Sequence, residues 1–384
     1  MELLSILIQL ALVFCFIFYC GFFVTRFMHM PLIGVYIIAG IVTNLHFNVL
    51  SSILPDVSLS HDAYDTMGHI GILLLMFTAG LEVDLIKLST TSRFSIFVTI
   101  IQLFLTWGIL NIIFLFYHWE LSISQCLIIC TLSSTVSAIQ GLNFSKSLGS
   151  TYGLNALSIL ILQDVLLGPL QTLMKMSDLS QIYTVLLKAF LTIGVLFAAV
   201  FIFSYPNTHK KYKQHHSELY VIEPLAYCFL LSTIFLSIGL SPECGAFVAG
   251  IFLAWEYDAH LIIHNIQYIQ QLFLIAFFAH IGLCIDAEFL ALHSIEILLL
   301  LFGLLAIRTL VFFIPIFFLT RELKGSIASA SLLAPFSEFT FLLIDKASLT
   351  QVSFDMINII LALSLAIGFI WHRALLKTYK YYCV

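Results

Sequence analysis

The strongest constraint in this chain is a succession of apolar runs about 18 to 25 residues long, separated by short breaks that carry polar residues, Pro, Gly, Lys or Arg. A helix rises about 1.5 Å per residue, so such a run covers the roughly 30 Å of hydrocarbon in a bilayer. Charged residues make up 10% of the chain, against about 25% in a soluble domain. Mean hydropathy is +1.07. The expected class is an all-α polytopic membrane protein, with the lipid bilayer as its solvent.

Cutting at the breaks gives thirteen spans: 3–25, 31–45, 66–86, 94–117, 122–141, 152–175, 182–204, 219–238, 242–257, 266–286, 296–319, 325–344 and 355–376. The first run has no basic region before it and is too long for a cleaved signal, so it reads as a retained span. The basic residues test the count. With the N-terminus outside and the C-terminus inside, the inner loops and tail hold Arg26, Lys87, Arg93, Lys146, Lys210, Lys211, Lys213, Arg321, Lys324, Arg373, Lys377 and Lys380. The outer loops hold Lys175 and Lys346, and Lys188 and Arg308 fall within spans, which accounts for all 16. Twelve against two is the asymmetry that cytoplasmic loops impose.

The net charge of −5 has no block of like charge behind it, so nothing in the chain points to nucleic acid. The eight cysteines lie scattered in apolar segments without a CxxC pair, as small apolar fillers do. No Walker-type glycine loop suggests an ATPase, and no cofactor or enzymatic activity is expected.

A faint repeat runs through the spans. "AGI" occurs at 39–41 and 249–251, and "GLEVD" at 80–84 is echoed by "GLCID" at 282–286. The offsets, 210 and 202 residues, correspond to seven spans, an odd number that inverts the second copy in the membrane. Spans 1–6 and 8–13 are then inverted repeats, the architecture many secondary transporters build around a midplane site.

Within the stretch "ILILQDVLLGPL", residues 159–170, Gln163 and Asp164 sit in the middle of span six. An ionised carboxylate at that depth costs roughly 2.5–3.5 kcal/mol on insertion scales. Burial favours its protonated form and a bound cation favours the charged one, so Asp164 can hold a proton or a monovalent cation in turn. Alternatively it is a protonated acid making one interhelical hydrogen bond. Gln163 offers a carbonyl oxygen without a second charge. Pro169 frees the carbonyl of Val165, and Gly168 permits a bend.

Span five carries Ser133, Ser134 and Thr135 in a stretch that holds a helix poorly. Span twelve carries Pro335, Ser337 and Glu338. One break per repeat is the arrangement that turns backbone carbonyls and half-helix ends toward ions. Arg308 is a fixed charge in need of a partner, for which Glu338 and Asp164 are the acids available. Lys188 in span seven reads as a snorkelling residue. His280 could sense pH or simply pack through a hydrogen bond. Glu82 and Asp84, at the inner end of span three, either line an entrance or cap the helix in solvent.

Six motifs, "GILLLMFTAGLEVDL", "LSSTVSAIQ", "LILQDVLLGPL", "GAFVAGIFLA", "FFAHIGLCID" and "SEFTFLL", stand in the order and spacing of the monovalent cation:proton antiporter family that includes the Kef-type potassium/proton antiporters. The chain resembles that family over about residues 5 to 376. The resemblance implies an NhaA-like antiporter fold with crossed broken helices at spans five and twelve. It implies a core ion-binding part (about 94–175 and 296–376), a linker helix (182–204) and a dimerisation part (about 1–90 and 219–290) of a homodimer moving as an elevator. Asp164 matches the ion-binding aspartate, Gln163 the residue before it, and Arg308 a family Lys or Arg. Ser134 and Thr135 join the cation/proton site, and Ser337, Glu82 and His280 its possible pathway.

A lone acid taking one proton or one monovalent cation moves no net charge, so exchange is expected to be electroneutral, with K⁺ favoured over Na⁺. Three departures stand out. Ser337 replaces a usual Gly, the acidic regulatory loop is missing after "EYDAH", and no cytosolic nucleotide-binding domain follows the membrane part, leaving control to a possible separate subunit. A gated potassium-efflux channel and a transport-incompetent sensor or partner subunit are the alternatives, as is an antiporter with a small organic ion as cargo. The expected site of action is a bacterial inner membrane.

Overall fold

The computed structural model describes residues 15, 17–22, 32–53, 61–82, 85–116, 126, 129–144, 150–174, 187, 194, 219–237, 241–344 and 351–382. Most of span one and nearly all of span seven, with Lys188, lie outside the described residues, as does Asp84. The helices are α1 (Ile33–Ile53), α2 (His61–Glu82), α3 (Leu85–Phe116), α4 (Thr135–Phe144), α5 (Thr151–Met174), α6 (Leu219–Ser237) and α7 (Pro242–Glu256). They continue with α8 (Ala259–Leu283), α9 (Ala287–Leu292), α10 (Ser294–Thr320), α11 (Leu323–Leu333), α12 (Thr340–Ile344) and α13 (Gln351–Tyr382). No strand occurs among the described residues. Arg93–Ile113, Ala259–Leu283, Ser294–Thr320 and Val352–Lys377 are each long and apolar enough to cross a membrane.

The chain divides into two compact units, one of residues 1–68, 97–160 and 275–384, the other of residues 69–96 and 161–274. In the first, α13 is the hub, packing against α1, α4, α10, α11 and α12. Small residues make this possible. A Cβ on Gly34 would stand 3.2 Å from Ala366 Cβ, and one on Gly368 would stand 2.6 Å from Ser137 Oγ and 2.9 Å from Pro335 Cβ. Any side chain at 368 would thus push both interrupted segments off α13.

In the second unit α6 and α7 pack side by side. A Cβ on Gly245 would meet Leu231 O at 2.6 Å and Ser232 Cα at 2.8 Å. α7 opens with Pro242 in its first turn, where a missing N–H costs nothing. The Tyr257 hydroxyl, just past α7, donates to Glu223 Oε1 of α6 at 2.9 Å, and Gln270 of α8 donates to Thr78 of α2 at 2.9 Å.

The repeated sequence fragments acquire a physical role. In the first unit Gly40 of "AGI" lies on Gly282 of "GLCID", a Cβ on either standing 2.8–2.9 Å from the other's Cα. In the second unit Gly80 of "GLEVD" lies on Gly250 of the other "AGI", at 2.9–3.1 Å by the same measure. In all four cases the nearest obstacle is a carbonyl three residues before the partner glycine: Ala279, Ile37, Phe247 or Phe77. Each unit therefore holds one copy of the same glycine-on-glycine helix crossing.

Candidate functional site

Both expected interruptions are present, and they meet. The helix ending near Thr131 gives way to residues 132–134 before α4 begins, and α11 gives way to residues 334–339 before α12. Ser133 and Phe336 form an isolated antiparallel bridge, and Ser134 N–H donates to Pro335 O at 3.2 Å. Two helix C-termini and two N-termini converge there, each leaving backbone groups without intrahelical partners.

Arg308, 4% exposed on α10, answers the carbonyls. Its Nε donates to Ala334 O at 2.6 Å and Nη1 to Cys130 O at 2.5 Å. Nη2 reaches Leu132 O at 2.9 Å, Ser133 Oγ at 3.1 Å, and Leu333 O and Pro335 O at 3.4 Å each. The guanidinium carbon lies 4.4 Å from the centre of the Phe336 ring. A positive charge placed on half-helix C-termini is the favourable arrangement. The sequence offered Arg308 a carboxylate partner; its donors go instead to carbonyls of both interrupted segments and to one hydroxyl.

Glu338, 0% exposed, serves the opposite ends. Its Oε2 accepts from Ser134 Oγ at 2.9 Å and its Oε1 from Thr135 Oγ1 at 2.6 Å, and the Val136 backbone amide adds a further bond. The acid thus caps the N-terminus of α4. Ser134 and Thr135, expected at the cation site, give their hydroxyl protons to Glu338 and keep oxygen lone pairs for other donors or a cation. Ser337 accepts Phe339 N–H at 3.2 Å through its own hydroxyl. Among the described residues the only non-glycine with positive φ is Arg321, so Ser337 stands where a Gly is usual without left-handed backbone.

Asp164 and Gln163 lie on α5, which continues through Pro169 to Met174. They are 3% and 0% exposed, in the second unit. Glu82 is the exposed last residue of α2. His280, half-buried on α8, has Nε2 at 3.6 Å from Cys284 Sγ. No group of three His, Cys, Asp or Glu residues among the described residues is placed to hold a metal.

Three buried polar groups escaped the sequence reading. Glu243, 5% exposed, has no partner for Oε2 among the described residues; "SPECG" reads as ordinary first-turn capping. Gln102 of α3 donates to Thr106 Oγ1 at 3.3 Å and to Cys130 O at 3.4 Å, behind the first interruption. His372 of α13 lies 2.6 Å from Ser331 Oγ, inside "FIWHRALLK", which reads as an inner membrane anchor.

With this geometry in place, the profile of the family described as "Sodium/hydrogen exchanger, transmembrane" matches residues 11–377. The chain belongs to the sodium/hydrogen exchanger family. Among curated relatives it is 26% identical over 345 residues to the iron transporter MagA of Paramagnetospirillum magneticum, covering 87% of this chain and 76% of MagA. It is 26% identical to the K(+) efflux antiporter 5 of Arabidopsis thaliana, covering 74% of this chain and 52% of the relative. It is 28% identical to the glutathione-regulated potassium-efflux system protein KefC of Salmonella typhi, covering 74% and 47%. The chain thus spans about half the length of the last two. The sodium proton antiporter MjNhaP1 of Methanocaldococcus jannaschii superimposes with a TM-score of 0.65 at 14% identity, covering 97% of this chain and 99% of that one. The exchanger is an all-helical, multi-pass membrane protein of the antiporter fold, and these relatives are transporters rather than enzymes.

Proposed function

We propose that this chain is a secondary antiporter exchanging a monovalent cation, potassium in preference to sodium, for a proton, with Asp164 as the group that carries either. Two other deep ionisable groups are engaged at the helix ends. Glu338 is occupied by hydroxyls and an amide at one pair of helix ends, and Arg308 by carbonyls at the other. The observation that carries the reading is Asp164 itself, an acid 3% exposed in mid-span next to the neutral amide of Gln163, in a chain of the exchanger family. One carboxylate exchanging one proton for one monovalent cation is electroneutral.

The charge asymmetry of the loops supports an N-terminus outside and a C-terminus inside, in a bacterial inner membrane. The paired glycine crossings support two inverted repeats, and those repeats support alternating access by an elevator motion of the core part (about 94–175 and 296–376) against the dimerisation part of a homodimer. A separate regulatory subunit remains compatible with this reading.

The test is reconstitution in liposomes with a trapped pH dye and an imposed proton gradient, adding K⁺, Na⁺, Li⁺, Rb⁺ and, because MagA is named an iron transporter, Fe²⁺. The expected result is cation-specific dequenching, largest for K⁺, that disappears in Asp164→Asn while folded protein is retained. Wild-type rates in that variant would remove Asp164 as the carrier. Dequenching by Fe²⁺ alone would move the cargo to a divalent metal.

A further inference from the structure

His372 is 2% exposed and lies where three helices meet. Its Nδ1 is 2.6 Å from Ser331 Oγ on α11, and a Cβ on Gly141 of α4 would stand 3.4 Å from its Cδ2. These helices are the halves of the two interrupted segments that lie on the same side of the crossing as the chain's basic C-terminal turns. Ser331 has a single proton, and it goes to Ala328 O at 2.8 Å. With that proton on Ala328 O the hydroxyl accepts from the ring, and the neutral ring carries its hydrogen on Nδ1. That leaves Nε2 as a bare lone pair, buried and without a hydrogen-bond partner among the described residues.

We propose that His372 is a second proton-binding group of this protein, separate from Asp164, and that protonating it releases α11 and α4 from α13. In the neutral ring one N–H holds α11 in place through Ser331. A proton on Nε2 adds a donor and a positive charge where the described residues supply neither an acceptor nor a counter-charge. The packed arrangement and the doubly protonated ring exclude each other. The ionisable residues on the surrounding elements are Tyr36 and His46 on α1, Glu296 and Arg308 on α10, Lys324 on α11 with Glu322 before it, and Glu338 ahead of α12. On α13 itself Asp355 precedes His372, and Arg373, Lys377, Tyr379, Lys380, Tyr381 and Tyr382 follow it; α4 contributes none. Ser331 is the group that hydrogen-bonds the ring.

The site rests on the exchange reading for its consequence: acid on the C-terminal side changes how the two half-helices are held, and so sets the pH range of exchange. The experiment compares wild type, His372→Asn and Ser331→Ala in proteoliposomes across about pH 4–8.5, a window that extends below the range in which a free imidazole changes charge. His372→Asn keeps a donor for Ser331 and cannot take a proton. Its alkaline rate should stay within about twofold of wild type while the acid limb is abolished or displaced by about half a pH unit or more. Ser331→Ala removes the acceptor, so its alkaline rate should move toward the acid-side value.

Unchanged profiles, or a uniform scaling of rate at every pH, would overturn the proposal, because a structural role alone predicts no more than that. Hydrogen–deuterium exchange of residues 323–333, corrected for intrinsic pH dependence, gives a readout independent of transport. It should rise on acidification in wild type, and Ser331→Ala should show the raised level at every pH. A flat response in wild type overturns the proposal. Should wild-type vesicles exchange no cation, the antiporter reading falls and this second measurement alone decides the role of His372. Should His372→Asn fail to fold, Ser331→Ala and the deuterium measurement decide it.

Discussion

At the residue scale the deep charge with the most hydrogen bonds among the described residues, Arg308, is a structural one. Its planar fork presents five N–H donors to six acceptor atoms, a geometry that a flexible ammonium with three donors does not reproduce. Arg308→Lys keeps the charge and strands several buried carbonyls, at about 1–3 kcal/mol each. The expected outcome is a clear loss of thermal stability in detergent, with a still larger loss for Arg308→Ala, read by fluorescence-detected size exclusion after heating. A lysine variant as stable as wild type would reduce the guanidinium to a point charge. What the sequence conveyed here was that Arg308 needs a partner, not which one. Carbonyl oxygens belong to every residue, so no side-chain pattern advertises them, and the eye goes to Glu338 and Asp164. His372 was illegible for a related reason. Its meaning depends on Ser331, 41 residues earlier in the chain, and no local pattern sets the two side by side.

At the scale of elements, interruptions were legible and crossings were not. Pro335 cannot sit in the helix interior without cost, and the Ser133–Ser134–Thr135 run is poor in helix propensity; both breaks fall where those residues stand. That the breaks touch, through Ser133 and Phe336, is a long-range pairing with no local signature. The glycines lie between these cases. "AGI" and the two "GL" fragments were readable as repeats, but their role as facing pairs came from Gly40 on Gly282 and Gly80 on Gly250. Because the obstacles are backbone carbonyls rather than flexible side chains, a methyl group cannot be accommodated by a rotamer change. Gly80→Ala or Gly282→Ala should destabilise by about 1–3 kcal/mol, in the range of overpacked cores. Gly108 and Gly303, with nothing within 4 Å of a built Cβ, should accept alanine with little change. Equal melting temperatures for the two pairs would contradict the crossing as described.

At the scale of the whole molecule, the length and spacing of the apolar runs announced a polytopic membrane protein and six ordered motifs its resemblance to the antiporters, and the family assignment agrees. The cargo was not legible, because selectivity depends on how many oxygens close around the ion and how rigidly they are held. The charge balance of the cycle is testable without knowing it. With a single acid carrying either guest, clamping the membrane potential with valinomycin and potassium should leave the exchange rate within about twofold. A rate that follows an imposed voltage, at about 2.3 kcal/mol per elementary charge per 100 mV, would require a second charge to travel with the cation or a continuous pore.

The single guanidinium that ties both interrupted segments also sets a schedule for making the protein. Residues 130–133 leave the ribosome roughly 200 residues ahead of 333–335, a delay of about 10–40 s at 5–20 residues per second. During that interval the first break has neither its cationic clasp nor the opposing strand. The nascent first half therefore needs shelter, from the insertion machinery or from water, until Arg308 and the second break arrive to close the joint.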